Sequence, residues 1–276
     1  MLRVDLPSLS VEEVFKTCYT GVQNPGDLEG RLAGNLAYVL DRSNAYLFAA
    51  VQGKCALLDK DDFPVPGVTK DEMVWLYDRR FAAKSSNGRR YYNDLKIGAR
   101  DGLCCLCGFR EAGTLDHYLQ KTAFTALAVN PFNLLPACWA CNHGKGSSSE
   151  DTVHPYFDDF HLDTWLQAEV IEVLPCVIDY TIDFPASWDA GLRSRATSRF
   201  NAFDLASLYS AQAARHLAGI SLTLTRNHAE MGPEAVRRLL VTDRDSWCAV
   251  DPNSWQSALY RALSDSDWFC GGGFAR

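Results

Sequence analysis

The sequence lacks any long apolar run. No window of its 276 residues approaches the roughly 18 apolar residues of a membrane span. Its opening, MLRVDLPSLSVEEVF, has no basic stretch leading into an apolar segment, the pattern typical of a secretory signal. We therefore expect a soluble, cytoplasmic protein with no membrane partner. With 47% hydrophobic residues, the chain is long enough for one large domain or for two to three small ones.

Positive charge is scarce and unevenly distributed. The formal net charge is −7, which argues against a protein that binds nucleic acid over its whole surface. No lysine follows Lys145, and residues 150–276 hold ten Arg against eighteen Asp and Glu. Residues 79–100, in contrast, hold seven Lys and Arg against one Asp, interleaved with Tyr91 and Tyr92. This segment predicts a contact with sugar-phosphate, the alternatives being a solvated helix face and tyrosines that pack in the core.

Ten cysteines without a signal segment need an explanation other than disulfides. Cys104 and Cys107 form one C-x-x-C pair, and Cys138 and Cys141 form another after thirty intervening residues. Two such pairs are typical of a closed, tetrahedral structural zinc site. Cys105 is an alternative ligand to Cys104, although the spacing favours Cys104. The five other cysteines are scattered, as expected of small buried hydrophobic residues: Cys18, Cys55, Cys176, Cys248 and Cys270.

Local patterns predict helices on both sides of the cysteine pairs. Ser10 and Glu13 have capping-box spacing before a helical region over 10–52, and Thr69 is the predicted cap of a helix that ends near SSNG. Residues 103–149 form short pieces instead: strands at TLDHYL and NLLPA and a helical turn at NHGKGSSS. Further on, 169–184 is β-like, and three helical stretches follow, one with Pro233 just inside its start.

Several polar residues lie between the two cysteine pairs, among them Asp116, His117 and Asn133. The run LDHYLQKTAFTALAVNPFNLLPACWACNHGK, with the preceding C-x-x-C, resembles the HNH nuclease motif in its zinc-knuckle form over residues 104–145. That resemblance implies a divalent-metal-dependent endonuclease acting on nucleic acid, most simply DNA. His117 is the implied general base, Asp116 and Asn142 the ligands of Mg²⁺ or Mn²⁺, and Asn133 the residue that orients the histidine. The structural Zn²⁺ is assigned to Cys104, Cys107, Cys138 and Cys141.

The chemistry of phosphodiester hydrolysis calls for such a set. Water must be activated on one side while charge on the departing oxygen is stabilised on the other, which suits an imidazole base and a hard divalent ion. Because successive strand residues point to opposite faces, Asp116 and His117 can share a metal site only if the strand twists or bulges. Six basic residues are predicted to contact nucleic acid: Lys145, Lys121, Arg89, Arg90, Lys96 and Arg100.

The sequence departs from the family pattern at two loop positions. Gln120 and Thr125 stand where prolines are usual, which bears on the rigidity of the loop. His143 is an alternative to Asn142 as ligand, although the register to Cys141 favours Asn142. Surface or capping roles are expected for the remaining histidines: His154, His161, His216 and His228.

The flanking segments, among them SRFNAFDLASLYSAQAARHL and WFCGGGF, resemble HNH subunits of Septu-type anti-phage systems, which are paired with an ABC-like ATPase. We therefore predict an α+β, mostly helical fold with a central ββα-metal (HNH) unit flanked by helical N- and C-terminal regions. The predicted divisions are 1–68, helical; 69–149, basic lead-in and nuclease module; and 150–276, acidic, helical and partner-docking. The rival hypotheses are a non-catalytic zinc-stabilised binding module and a thiol redox protein.

Overall fold

The computed structural model describes residues 2–23, 26–144 and 151–275. The protein has an α+β fold with 57% helix, which confirms the mostly helical prediction, and its described residues contain two small antiparallel sheets. The chain divides into two compact units, Leu2–Asp158 and Asp159–Arg276. The predicted three-part division stays a prediction, and its limit at 149/150 lies outside the described residues. None of the described helices combines the length and apolar character that a membrane span requires.

The described part of the first unit contains six α-helices and a β-hairpin that carries Asp116 and His117. Its elements are α1 (Val11–Tyr19), α2 (Leu28–Gly34), α3 (Leu36–Val51), α4 (Lys70–Trp75), α5 (Arg89–Ile97), β1 (Thr114–His117), β2 (Leu134–Ala137) and α6 (Trp139–Gly144). Strands β1 and β2 pair antiparallel, with Thr114 opposite Ala137 and His117 opposite Leu134. The helical turn predicted over 142–149 is described only as far as the end of α6.

Capping residues set two helix starts in the first unit. The Ser10 side chain accepts the backbone N–H of Glu13, as its spacing predicts, but the Glu13 carboxylate accepts the Tyr91 hydroxyl instead of closing the capping box. Thr69 and Glu72 form the complete, reciprocal box at the start of α4. Beyond α4 the helix continues as a π-helical segment, Leu76–Phe81. This wider turn matters for the site, because it contains Tyr77.

The second unit is a hairpin packed on helices. Its elements are β3 (Leu166–Ile171), β4 (Val177–Ile182), α7 (Ala190–Ala202), α8 (Leu205–Met231), α9 (Pro233–Val250) and α10 (Trp255–Asp265). The buried positions of β4, Ile178 and Tyr180, alternate with exposed ones, which confirms the β-like reading of this segment. Pro233 is the first residue of α9, as predicted.

Candidate functional site

Four buried cysteines of the two C-x-x-C pairs meet at one point. The Sγ atoms of Cys104, Cys107, Cys138 and Cys141 all lie within 4.8 Å of one another. A tetrahedral zinc with Zn–S bonds of about 2.3 Å separates its sulfurs by about 3.8 Å, so the donor set and its spacing fit Zn²⁺. Among the described residues this is the one group of three or more His, Cys, Asp or Glu that is arranged to hold a metal.

Backbone N–H groups around the cluster favour thiolates. The Cys141 N–H donates to Cys138 Sγ at 3.3 Å. Hydrogen bonds from Cys104 and Cys141, together with the backbone N–H groups of Phe109 and Arg110, lower the pKa of Cys107, and hydrogen bonding led by Cys104 lowers the pKa of Cys138 to about 6. Hydrogen bonding to the other cluster sulfurs, together with burial, raises the pKa of Cys104 and of Cys141, so two of the four sulfurs favour the thiolate form without metal. A metal binds to deprotonated sulfurs, and its binding therefore releases the protons that remain.

Cys104, and not its neighbour Cys105, belongs to the cluster. The first knuckle turns so that the Cys104 N–H donates to the Arg110 carbonyl and the Gly108 N–H donates to the Cys104 carbonyl, both at 2.7 Å, with Gly108 at φ +62°. Cys105 is also buried, but its backbone N–H donates to Pro136 of β2. The knuckle is thereby joined to the hairpin. All ten cysteines are described, and none forms a disulfide.

His117 ends β1 and is held by a backbone carbonyl. Its ring Nε2 lies 2.9 Å from the Ala128 carbonyl oxygen, in the loop that connects the strands. A carbonyl only accepts hydrogen bonds, so Nε2 carries the proton and Nδ1 carries the lone pair of the neutral ring. The Tyr77 ring lies edge-on to the imidazole at 4.5 Å between centroids. His117 is 9% exposed, so protein contacts fix the ring at the edge of the core.

Asp116 is buried beside the histidine in an unbroken strand. Residues Thr114 to His117 pair one-to-one with β2, so the bulge that sequence reasoning considered is absent from β1. Because β1 has no bulge, only strand twist or the end of the strand at His117 can bring the two side chains toward one site. Burial, and to a smaller extent the charges of Tyr92, Asp78 and Asp116, raise the pKa of Tyr77. Tyr77 is thus a common neighbour: its ring contacts His117, and its hydroxyl is within electrostatic reach of Asp116.

Asn142 reaches β1 from α6. Its amide Nδ2 donates to the Leu115 carbonyl at 3.0 Å and to Thr114 Oγ1 at 3.1 Å. Its Oδ1 accepts no hydrogen bond from any described residue, and oxygen is the donor that a hard cation needs. His143, the alternative ligand, is engaged elsewhere: its ring stacks on Trp139 and its Nδ1 donates to the Trp139 carbonyl. The structure brings Asn142, and not His143, to the strand.

Asn133 is fully buried and holds the chain that follows β1. Its Oδ1 accepts the Leu119 N–H at 2.8 Å and its Nδ2 donates to the Leu119 carbonyl at 2.9 Å. The Tyr118 N–H also donates to the Asn133 carbonyl. Asn133 therefore hydrogen-bonds across the hairpin, as expected, but to the backbone two residues beyond His117 and not to the imidazole.

The predicted nucleic-acid contacts differ in how far they are engaged inside the protein. The Arg89 guanidinium lies over the Tyr92 ring and donates to the Ala82 carbonyl, and Arg90 pairs with Glu13 at 3.2 Å. Arg100 lies 3.8 Å from Asp101, whereas half-buried Lys96 forms no ion pair with a described residue. Lys145 lies outside the described residues. Arg89 and Arg90 thus have structural partners that a nucleic acid would have to share.

Lys121 shares a neighbour with His117, the Tyr77 ring. Its Nζ pairs with Asp78 at 2.7 Å and lies 4.3 Å from the centroid of the Tyr77 ring, the same ring that contacts the histidine.

The two tyrosines of the basic segment do not form a surface on which a base could stack. Tyr91 and Tyr92 are 4% and 8% exposed, so they pack in the core and offer no open face to a base.

Two features escaped sequence reasoning. His154, expected on the surface, is buried among aromatic rings and hydrogen-bonds with the Tyr46 hydroxyl at 2.8 Å. Its neighbours in the run HPYFDDF were a signal for burial, since aromatic residues cluster there. Tyr77 has no comparable signal. A helical pattern places it on a helix, but only the π-helical turn and the tertiary fold bring it against His117.

Comparison with known proteins gives one full-length relative. No family model matches the chain, and no solved structure matches it. The sequence is 23% identical over 298 residues to Protein ea31 of Escherichia phage lambda, an alignment that covers 98% of this chain and 99% of that protein. The chain is therefore similar to this phage protein across both of its compact units.

Proposed function

We propose that the chain is a divalent-metal-dependent HNH endonuclease that hydrolyses DNA phosphodiester bonds with residues of its first unit. The observation that carries the proposal is the set of contacts on β1: His117 oriented by a backbone carbonyl, Asp116 beside it, and Asn142 docked on the same strand from α6. A zinc-stabilised module with no catalytic role needs the cysteines but has no use for this set.

The residues present fit a hard divalent ion. Asp116 offers a carboxylate and Asn142 an amide oxygen that no described residue occupies, a sparse set of the kind that Mg²⁺ or Mn²⁺ completes with water and substrate phosphate. When bound, such an ion would supply Lewis-acid stabilisation of the departing oxygen. Asp116 and Asn142 come from β1 and α6, so the hairpin and helix must stay together for both to contribute.

The chain's own residues account for water activation. The Nδ1 lone pair of His117 accepts the proton of the attacking water, and the Ala128 carbonyl, which accepts Nε2–H, stabilises the imidazolium that forms. Tyr77 limits rotation of the ring from the side. Asn133 fixes the backbone after the strand. The cysteine cluster has four protein donors, so its role is to hold β1, β2 and α6 together.

Substitutions at Tyr77 test the orientation of the base. Tyr77→Leu removes the ring that contacts His117, and we expect a fall in kcat of up to about a hundredfold with little change in KM, because misplacing a base affects the chemical step. Tyr77→Phe keeps the ring and is the matched control, expected within about threefold of wild type. Steady-state cleavage with Mn²⁺, normalised to the folded fraction, measures both. Equal kcat for Leu and Phe variants contradicts the orienting role.

An ATPase partner is a further part of the proposal. It is supported by the resemblance of the flanks to Septu-type subunits and by the acidic residues 150–276, which disfavour unaided binding to DNA. We expect the chain to co-purify with an ATPase encoded beside it and to cleave DNA faster in that complex at physiological salt. Full activity of the isolated chain under the same conditions contradicts the need for a partner.

Separate measurements of DNA cleavage and DNA binding distinguish the nuclease from a non-catalytic binding module. The zinc-loaded chain is incubated with labelled duplex and single-stranded DNA, with or without Mg²⁺ or Mn²⁺, and binding is followed in buffer free of added divalent ions. A nuclease cleaves only in the presence of the ion. A binding module binds the DNA under both conditions and cleaves under neither.

A further inference from the structure

Trp139 is an exposed aromatic residue beside the candidate site. It is the first residue of α6, lies between the cluster residues Cys138 and Cys141, and is 70% exposed. Tryptophan is usually highly buried in a folded protein, because its large apolar surface favours removal from water. Its exposure on the element that also presents Asn142 therefore calls for a role at the surface.

The ring of Trp139 is held in place although it is exposed. It stacks on the His143 ring with 4.4 Å between centroids and 18° between planes. The His143 Nδ1 also donates to the Trp139 carbonyl at 3.0 Å. Two hydrogen bonds fix the backbone beneath the ring. The Cys141 N–H donates to Cys138 Sγ, and the Asn142 N–H donates to the Cys138 carbonyl. A preorganised aromatic surface loses little conformational entropy when a flat ligand stacks on it.

The aromatic pair borders the side of α6 that faces β1. An α-helix turns by about 100° per residue. Viewed down the helix axis, Trp139 therefore points about 60° and His143 about 100° away from Asn142, both in the same direction of rotation. Arg110 adds an exposed cation, and its guanidinium is within electrostatic reach of Cys138, the residue before Trp139. A flat aromatic surface with an adjacent cation is complementary to a nucleobase and its phosphate.

We propose that the Trp139–His143 pair is a stacking site for an unpaired nucleobase of the strand presented to the candidate nuclease centre. This inference rests on the proposed function and names its substrate as single-stranded or locally unpaired nucleic acid. A base inside a duplex has both faces covered by its neighbours, so it cannot stack on the pair. Ala140 and Asn142, which flank Trp139 and His143 on α6, are small or polar, unlike the broad apolar core of a protein interface.

The test measures binding without cleavage. Fluorescence anisotropy of a labelled single-stranded oligonucleotide, and of the same sequence as a closed duplex, is recorded on the full chain in the His117→Ala background, in low salt without added divalent ions or chelator. Trp139→Ala is expected to weaken single-strand binding by about five- to a hundredfold and duplex binding by less than about twofold. Trp139→Phe is expected to retain most of the affinity, and His143→Ala to lose a smaller part than Trp139→Ala. Trp75→Ala, at an exposed tryptophan of α4, is the matched control.

The inference is overturned if Trp139→Ala binds the single strand as tightly as the parent chain does. It is also overturned if Trp139→Ala loses affinity equally for single strand and duplex, or if the parent chain binds no nucleic acid. Zinc content is measured for each variant, and if Trp139→Ala loses zinc, Trp139→Phe and His143→Ala decide in its place. The proposed catalysis fails separately: a selective loss of single-strand binding by Trp139→Ala, with no cleavage by the His117-containing chain, supports the stacking site and refutes the nuclease.

Discussion

Replacing His117 by alanine is expected to lower the rate of DNA cleavage by about a hundred- to ten-thousandfold, because general base catalysis contributes about that factor. The side chain is held by the Ala128 carbonyl and the Tyr77 ring, and the four-cysteine cluster lies on other residues. We therefore expect zinc content and DNA binding to be unchanged. Initial rates with Mn²⁺, metal analysis and anisotropy on the same preparation measure the three properties.

Chemical rescue makes the His117 experiment specific. Removing the imidazole leaves a space beside Tyr77, and added free imidazole is expected to restore part of the rate in His117→Ala. Substitution of His161, which pairs with Asp159 in the second unit, is the matched control and should leave the rate unchanged. A His117→Ala variant that folds, binds zinc and cleaves like wild type contradicts the assignment of the base.

Cys104→Ala is expected to abolish zinc binding and the cooperative unfolding of the first unit. A structural Cys₄ zinc contributes about 10–16 kcal/mol on binding, which is comparable to or larger than the whole stability of a typical domain, about 5–15 kcal/mol. The loss of one sulfur also breaks the four-ligand set, and without zinc the remaining thiolates lie close together with no cation to offset their repulsion. Zinc stoichiometry by metal analysis and thermal unfolding followed by circular dichroism measure both effects.

Cys105→Ala is the matched control, since Cys105 is adjacent, equally buried and outside the cluster. It should keep one zinc per chain and lose only the small packing contribution of a buried sulfur, within the range of about 0.5–3 kcal/mol that is usual for single substitutions. If Cys105→Ala loses zinc and Cys104→Ala retains it, the ligand set is wrong. If neither variant affects zinc content, the cluster is not a zinc site.

Local signals account for the parts of the fold that the sequence could predict. The two cysteine pairs can meet once the single loop between them closes. The Thr69 cap and Pro233 at the first position of α9 both act within one helical turn. Residues alternate in character along 177–182, and this pattern directly indicates that one face of the strand is buried. The choice of Cys104 over Cys105 followed from spacing in the same way, and the cluster confirms it.

Long-range contacts account for what the sequence could not predict. The Ala128 carbonyl that orients His117 belongs to a loop with no signature of its own, and Tyr77 reaches the imidazole through a π-helical turn. Burial of His154 and Tyr91 depends on partners at Tyr46 and Glu13, about a hundred and about eighty residues away. Charge counting over 79–100 could not show that some of its arginines are used inside the protein.

The measurement that tests the central claim most directly is divalent-ion-dependent cleavage by the zinc-loaded chain, alone and with the proposed ATPase partner, on end-labelled single-stranded and duplex DNA at low salt. The account predicts cleavage with Mg²⁺ or Mn²⁺, none without the added ion, and loss of cleavage in Asp116→Ala with one zinc per chain retained. Absence of cleavage on every substrate with both ions, or cleavage that persists in Asp116→Ala and His117→Ala, would contradict it.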